Sequence, residues 1–158
     1  MNFSIHLNDF STTNISFLES KKNMLMDGYF TKINYLNKWF TMNGLFFYIP
    51  IKIKSIIKDK LSIKFDPYCP DNHENINKFS MIEKDLLDFY NNNKQYRHKK
   101  QLLLTKQLFN GVLKLTPENF DTLIEEKDNY VIKVSGIWET NNEIGITYKL
   151  FKAHNIIC

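Results

Sequence analysis

Apolar and polar residues alternate along most of this chain, most clearly in its last third. Val134-Ser135-Gly136-Ile137-Trp138 and Glu143-Ile144-Gly145-Ile146-Thr147-Tyr148-Lys149-Leu150 each read as a strand, and the polar tip Glu139-Thr140-Asn141-Asn142 joins them. One glycine sits in each arm and aromatic residues stand at Trp138 and Tyr148. That composition suits a curved sheet in a small barrel, with a surface on which flat rings stack; from the pattern alone, packing of the same rings in the barrel core is the favoured reading. Asp27-Gly28, Asn43-Gly44 and Asn110-Gly111 tolerate positive φ, and each precedes a run rich in β-branched or aromatic residues. The three are hairpin-type turns in a mostly β protein, with strands expected over 14–19, 29–36, 45–51, 61–65, 102–109, 112–116, 130–138 and 144–151.

One stretch follows a different period. Ile76, Phe79, Ile82, Leu86, Phe89 and Tyr90 recur every three or four residues, so 74–90 is an amphipathic helix packed on the barrel. Asp71 and Glu74 have the spacing of a capping box, Pro70 keeps the preceding chain extended, and Asn91-Asn92-Asn93 marks a loop. A shorter helix is expected over 117–126, with Thr116 as its cap. No internal repeat or Pro/Gly/Ser-rich linker divides the chain, so residues 1–158 read as a single domain of α+β, mostly β class.

The 158 residues carry a formal charge of +4, a mild bias toward anionic partners. Arg97 is the sole arginine and Ala153 the sole alanine, whereas Asn, Ile, Phe and Tyr abound. Residues with AT-rich codons are over-used, as in a parasite, an organelle-like replicon or a large DNA virus. The start lacks a basic leader, and no run approaches the roughly 20 apolar residues that span a bilayer, so a soluble, intracellular protein without membrane contact is expected. Two cysteines are too few for a secreted disulfide scaffold.

Little points to catalysis. Phosphate-loop, dinucleotide, nucleophile-elbow and zinc-protease motifs are all missing, and the reading is non-enzymatic with no cofactor. Asp121, Glu125, Glu126 and Asp128 cluster without His or Cys nearby and read as a solvated acidic surface. Cys69 with His73 and His154 with Cys158 each have i,i+4 spacing, and together they would complete a tetrahedral zinc site if the two segments met; unrelated residues are the favoured reading.

Basic and aromatic residues interleave more tellingly. Lys52, Lys54, Lys58, Lys60 and Lys64 punctuate the apolar run 49–65, and Lys94, Tyr96, Arg97, His98, Lys99 and Lys100 form a second cluster. Tyr29, Tyr35, Trp39, Phe46 and Tyr48 supply rings on adjacent strands, with Phe46 and Tyr48 on the face opposite Leu45 and Phe47. Ammonium groups attract a phosphate backbone and rings stack on unpaired bases, so the pattern suits single-stranded nucleic acid. For any single lysine, keeping an edge strand soluble explains as much.

The segments Ile15-Ser16-Phe17-Leu18-Glu19-Ser20-Lys21-Lys22-Asn23, Tyr48-Ile49-Pro50-Ile51-Lys52, the helix after Asp71, and Gly136-Ile137-Trp138 with Gly145-Ile146-Thr147-Tyr148-Lys149 occur in an order that resembles a family from nucleo-cytoplasmic large DNA viruses. That family consists of single-stranded DNA-binding proteins built on an OB-type barrel. The chain departs from it at Ser20, where proline is expected, in the missing glycine after Pro50, and in its shorter length. The resemblance implies an OB-like antiparallel barrel that binds single-stranded DNA without catalysis, in viral replication, recombination or packaging, within the host cytoplasm, a viral factory or the virion. The expected contacts are Lys32, Tyr35, Trp39, Phe46, Tyr48, Lys52, Lys54, Arg97, Lys99, Lys100, Lys133, Trp138, Tyr148 and Lys149. RNA in place of DNA, and self-association, stay open. The alternative is a structural or interaction protein of a viral particle.

Overall fold

The computed structural model describes residues 4–117 and 129–153. In chain order the elements are β1 (Ile15–Phe17), β2 (Lys21–Lys22), β3 (Tyr29–Leu36), β4 (Thr41–Met42), β5 (Leu45–Tyr48), β6 (Ile53–Ile57), β7 (Ser62–Phe65), α1 (Pro70–Lys94), β8 (Lys99–Gln101), α2 (Leu103–Asn110), β9 (Val112–Lys114), β10 (Asn129–Glu139) and β11 (Glu143–Ala153). The fold is mostly β, with a strongly curled half-barrel sheet and two helices. The main sheet runs β1-β3-β10-β11-β8, with β2 and β4 on β3 and β5 on β10; β6-β7-β9 form a second sheet. The sheets meet where Leu115 bridges Leu150 and the Thr116 N–H donates to the Leu150 carbonyl at 2.8 Å.

β10 is the hinge of this arrangement. Residues 131–134 pair with β5 and residues 136–139 with β3, while β11 runs antiparallel along the other side. The register slips between Val134 and Gly136, so Ser135 bulges, and a bulge of one residue reverses which side chains face the core. Before it Tyr130, Ile132 and Val134 point inward; after it Ile137 and Glu139 do.

The inner face packs on α1, whose buried residues include Ile76, Phe79, Ile82, Leu86 and Tyr90, as the helical periodicity requires. Phe79 meets Phe47 edge-on with centroids 6.0 Å apart, and Phe17 lies 5.0 Å from Tyr90. The Tyr90 hydroxyl donates to Glu139 Oε2 at 2.6 Å and also bonds Thr31 Oγ1, so a buried carboxylate on β10 is met by a phenol from the helix. Asn72 pins the segment after β5: its Oδ1 accepts from the Lys52 N–H at 2.8 Å, and its Nδ2 donates to the Lys52 and Asp66 carbonyls.

Several expectations are corrected. Residues 102–109 are not a strand: 103–110 form α2, with Leu104 and Leu108 buried one turn apart. Its free N–H groups are satisfied from outside the segment, because the Glu83 carboxylate of α1 accepts from the Leu104 and Thr105 N–H groups at 3.0 and 2.8 Å. Asn110-Gly111 accordingly ends a helix; Gly111 has φ +73° as the C-cap. Asn43-Gly44 is not a hairpin turn either, since β4 pairs with β3 and β5 with β10. The helix expected over 74–90 runs from Pro70 to Lys94, so Pro70 is its first residue, Asn91–Asn93 are helical, and Gln95 in the left-handed region ends it. Cys69 is the N-cap without a side-chain bond, and Asp71 pairs with Lys52 at 2.7 Å, leaving no capping box. β6, with the short strands β2, β4 and β8, adds to the expected set. The expected helix at 117–126 and the acidic cluster Asp121, Glu125, Glu126 and Asp128 lie outside the described residues, apart from Pro117.

Candidate functional site

The solvent-facing side of the β3-β10-β11 sheet gathers the half-buried or exposed rings of Phe30, Phe46, Tyr48, Trp138 and Phe151 and several ammonium groups that form no ion pair among the described residues. Pairing registers set them out in cross-strand rows. Gly145, Trp138, Phe30 and Lys21 form one; Thr147, Gly136 and Lys32 the next; then come Lys149, Lys133 and Phe46, and last Phe151, Val131 and Tyr48. From Trp138 to Val131 the face spans roughly 20 Å at the usual strand rise.

Two glycines act as floors. A Cβ on Gly145 would stand 2.4, 2.5 and 2.8 Å from Cζ2, Cε2 and Nε1 of Trp138, so the indole lies flat over that glycine. A Cβ on Gly136 would meet Cζ and Cε2 of Phe30 at 2.6 and 2.9 Å. Each ring thus covers bare backbone with one side and is half-buried, keeping the rest of its surface toward solvent. Lys133 Nζ stands 5.3 Å from the centroid of Phe46, a cation–π contact that holds the ammonium on the face. The Tyr48 hydroxyl donates to Asn129 Oδ1 at 3.1 Å, orienting its ring.

Among the described residues Lys32, Lys133 and Lys149 form no ion pair. The outward positions of β3, β5 and β10 hold no carboxylate; the nearest on β11 is Glu143 at the hairpin end, which accepts from Gln101 Nε2 at 2.6 Å. The face therefore combines positive charge with flat apolar surface, chemistry that attracts polyanions and stacks on planar groups.

Of the fourteen contacts expected from the sequence, Lys32, Phe46, Tyr48, Lys133, Trp138 and Lys149 share this face. Tyr35 and Tyr148 do not. Tyr35 is a buried residue of β3 whose hydroxyl accepts from Asn14 Nδ2 at 3.2 Å. Tyr148 is opposite the inward Val134 and packs against the core, where burial first and the nearby Glu83 second push its hydroxyl up to about 12. Trp39 is 78% exposed on the turn between β3 and β4, with Lys38 Nζ 4.6 Å from its ring. Lys54 belongs to the second sheet, and Lys52 is engaged by Asp71, whose hydrogen bond chiefly raises the Lys52 pKa. Arg97, Lys99 and Lys100 lie at the β8 edge, where Lys100 is paired with Asp88 and Lys99 stands opposite Glu143.

Cys69 and His73 are one helical turn apart, and His73 stacks on Tyr68 and meets Phe109 edge-on; His154 and Cys158 lie outside the described residues. Among the described residues no three His, Cys, Asp or Glu side chains cluster as a metal site. Phe30, Lys21, Thr147 and Phe151 join the face without having been expected. The alternation of β3, which sets Phe30 in phase with Lys32, is the signal that marks the first of them.

The fold and site define a mostly β protein with a half-barrel sheet, one side packed on helices and the other basic and aromatic. No family model matches the chain, and neither the curated proteins nor the solved structures give a match. No helix among the described residues is long and apolar enough to cross a membrane.

Proposed function

We propose that this chain is a non-catalytic single-stranded DNA-binding protein with an OB-like barrel, serving viral DNA replication, recombination or packaging, and that the polynucleotide lies across the outer face of β3, β10 and β11. The observation that carries the reading is the pair of rings laid on glycine floors beside three lysines that form no ion pair among the described residues. Lys32, Lys133 and Lys149 draw in the phosphate backbone, and Trp138, Phe30, Phe46 and Tyr48 stack on unpaired bases, which present a π-face whatever their identity. Duplex DNA hides those faces, so the same site prefers single strands. The OB-like assignment draws on the bulged β10, shared between β5 and β3, and on the bridge that joins the two sheets.

Fluorescence titration with oligo-dT at two salt concentrations tests charge and stacking together. Three phosphate contacts give a log–log salt slope of about −2, or roughly 15- to 20-fold weaker binding between 50 and 200 mM salt. Equal affinity for oligo-dT and duplex at low salt would refute the proposal. The second reading, an interaction protein of a viral particle, draws on Trp39 and Tyr68, which are 78% and 70% exposed away from the face. It predicts self-association and only charge-driven DNA binding.

A further inference from the structure

The loop between β2 and β3 holds two apolar side chains almost wholly in water: Met24 is 92% and Leu25 97% exposed. The loop is nonetheless ordered by its own bonds. The Asn23 N–H donates to the Gly28 carbonyl at 2.9 Å, and the Leu25 N–H donates to Asn23 Oδ1 at 3.0 Å. Gly28, at φ +144°, seats it against the end of β10: a Cβ there would stand 2.0 Å from the Glu139 carbonyl oxygen. Apolar side chains fixed in solvent cost free energy unless something covers them.

What covers them follows from where the loop sits. Lys21 pairs with Phe30, which pairs with Trp138, so the loop begins two residues past the first aromatic row along the strand direction, at the end of the face where Tyr29 pairs with Glu139. Two side chains offer far less than the roughly 800 Å² per partner of a specific protein interface, so the tip suits an accessory to a larger contact. The face beside it is that contact. Thioethers and aliphatic groups pack well on aromatic rings, and Met and Leu are among the side chains that press on base steps.

We propose that the β2–β3 tip is the end contact of the same polynucleotide: Met24 and Leu25 pack on the base that leaves the Trp138–Phe30 row. The inference rests on the reading of the face given above. Its test compares wild type with the Met24→Ser/Leu25→Ser double variant on labelled oligo-dT from about 4 to 16 nucleotides, the range of site sizes for one barrel of this kind. Both side chains are exposed, so the variant keeps the fold. It should match wild type on the shortest oligonucleotide and fall about fivefold or more behind on the longest, the low end of one stacked base. The salt slope should not change, because no charge is removed. Equal binding at every length, with wild type still preferring single strands, overturns the tip and leaves the face standing. Wild type without that preference removes both. A variant with unchanged DNA binding that loses either attachment to phosphatidylserine vesicles or a dimer seen in sedimentation assigns the tip to lipid or to a second copy, and also overturns the inference.

Discussion

Gly145→Ala is the most discriminating perturbation of the proposed stacking surface, because it touches the indole without removing it. The added Cβ would lie 2.4 Å from Trp138 Cζ2, whereas carbon atoms rest about 3.5–4.0 Å apart, so the ring must rise or swing by at least roughly 1 Å. Gly145 is not among the residues with positive φ, so alanine fits the strand backbone. The overpacking cost, of order 1–3 kcal/mol, is partly offset by the 0.4–1 kcal/mol that a less flexible unfolded chain returns. A stacked base contributes about 1–3 kcal/mol, a factor of roughly 5 to 150 in affinity, and a displaced ring forfeits part of it. Trp138→Ala removes the whole stack and gives the ceiling.

The assay is a double-mutant cycle on oligo-dT affinity, with urea unfolding of each variant as the control for fold. If Gly145→Ala acts through the indole, it weakens binding in the wild-type background and has no effect once Trp138 is alanine, so the two changes are strongly non-additive. Equal weakening by Gly145→Ala with and without the indole would show that the glycine matters for some other reason. Unchanged binding in a folded Trp138→Ala variant would remove Trp138 from the site.

Two further predictions concern buried ionisable groups. Burial pushes the Glu83 carboxyl above its ordinary value of 4.5, against the bonds it accepts from Thr105 and Leu104; the folded state then holds the proton more tightly, and Glu83 takes stability away as pH rises from 4.5 through the raised pKa. Glu83→Gln should flatten that descent in urea midpoints measured between about pH 4 and 7; a variant that instead falls more steeply than wild type contradicts it. The Tyr90 and Tyr148 hydroxyls are pushed from 10.0 up to about 12, chiefly by burial, so their contribution to stability is lost as pH rises between those values. Phenolate absorbance should show a late-titrating group from which Tyr148→Phe removes one member, and all tyrosines titrating together near 10 would sink the idea.

How much of this was legible in the sequence varies by element. The 29–36 strand and the two arms of the last hairpin follow from alternation, and the α1 face from its three-and-four spacing. α2 was hidden because a short apolar run such as Leu102-Leu103-Leu104 fits strand or helix equally, and the deciding group, Glu83, lies 21 residues before Leu104 on another element. Tyr148 was readable as inward, since it is in phase with Ile144, Ile146 and Leu150. Trp138 was harder. Its phase relative to Ile132 and Val134 is reversed by the bulge at Ser135, a feature with no signal beyond the neighbouring glycine. The glycine floor could have been found: a turn at Asn141-Asn142 that pairs Glu139 with Ile144 sets Trp138 opposite Gly145.

The local arrangement of charge also decides what the net charge could not. A formal +4 spread over 158 residues is a weak pull on a polyanion. The carboxylates of α1, however, belong to the other side of a packed layer roughly 10 Å thick, whereas the lysines are on the outer face itself. Among the described residues the inner face is packed: Tyr90 bonds Glu139 and Thr31 there, beside buried apolar side chains. Packing thus assigns one side of the sheet to the helix. The side left to solvent has Lys32, Lys133 and Lys149 with no opposing acid on β3, β5 or β10, and that separation concentrates positive charge on the one surface where the proposal lays the polynucleotide.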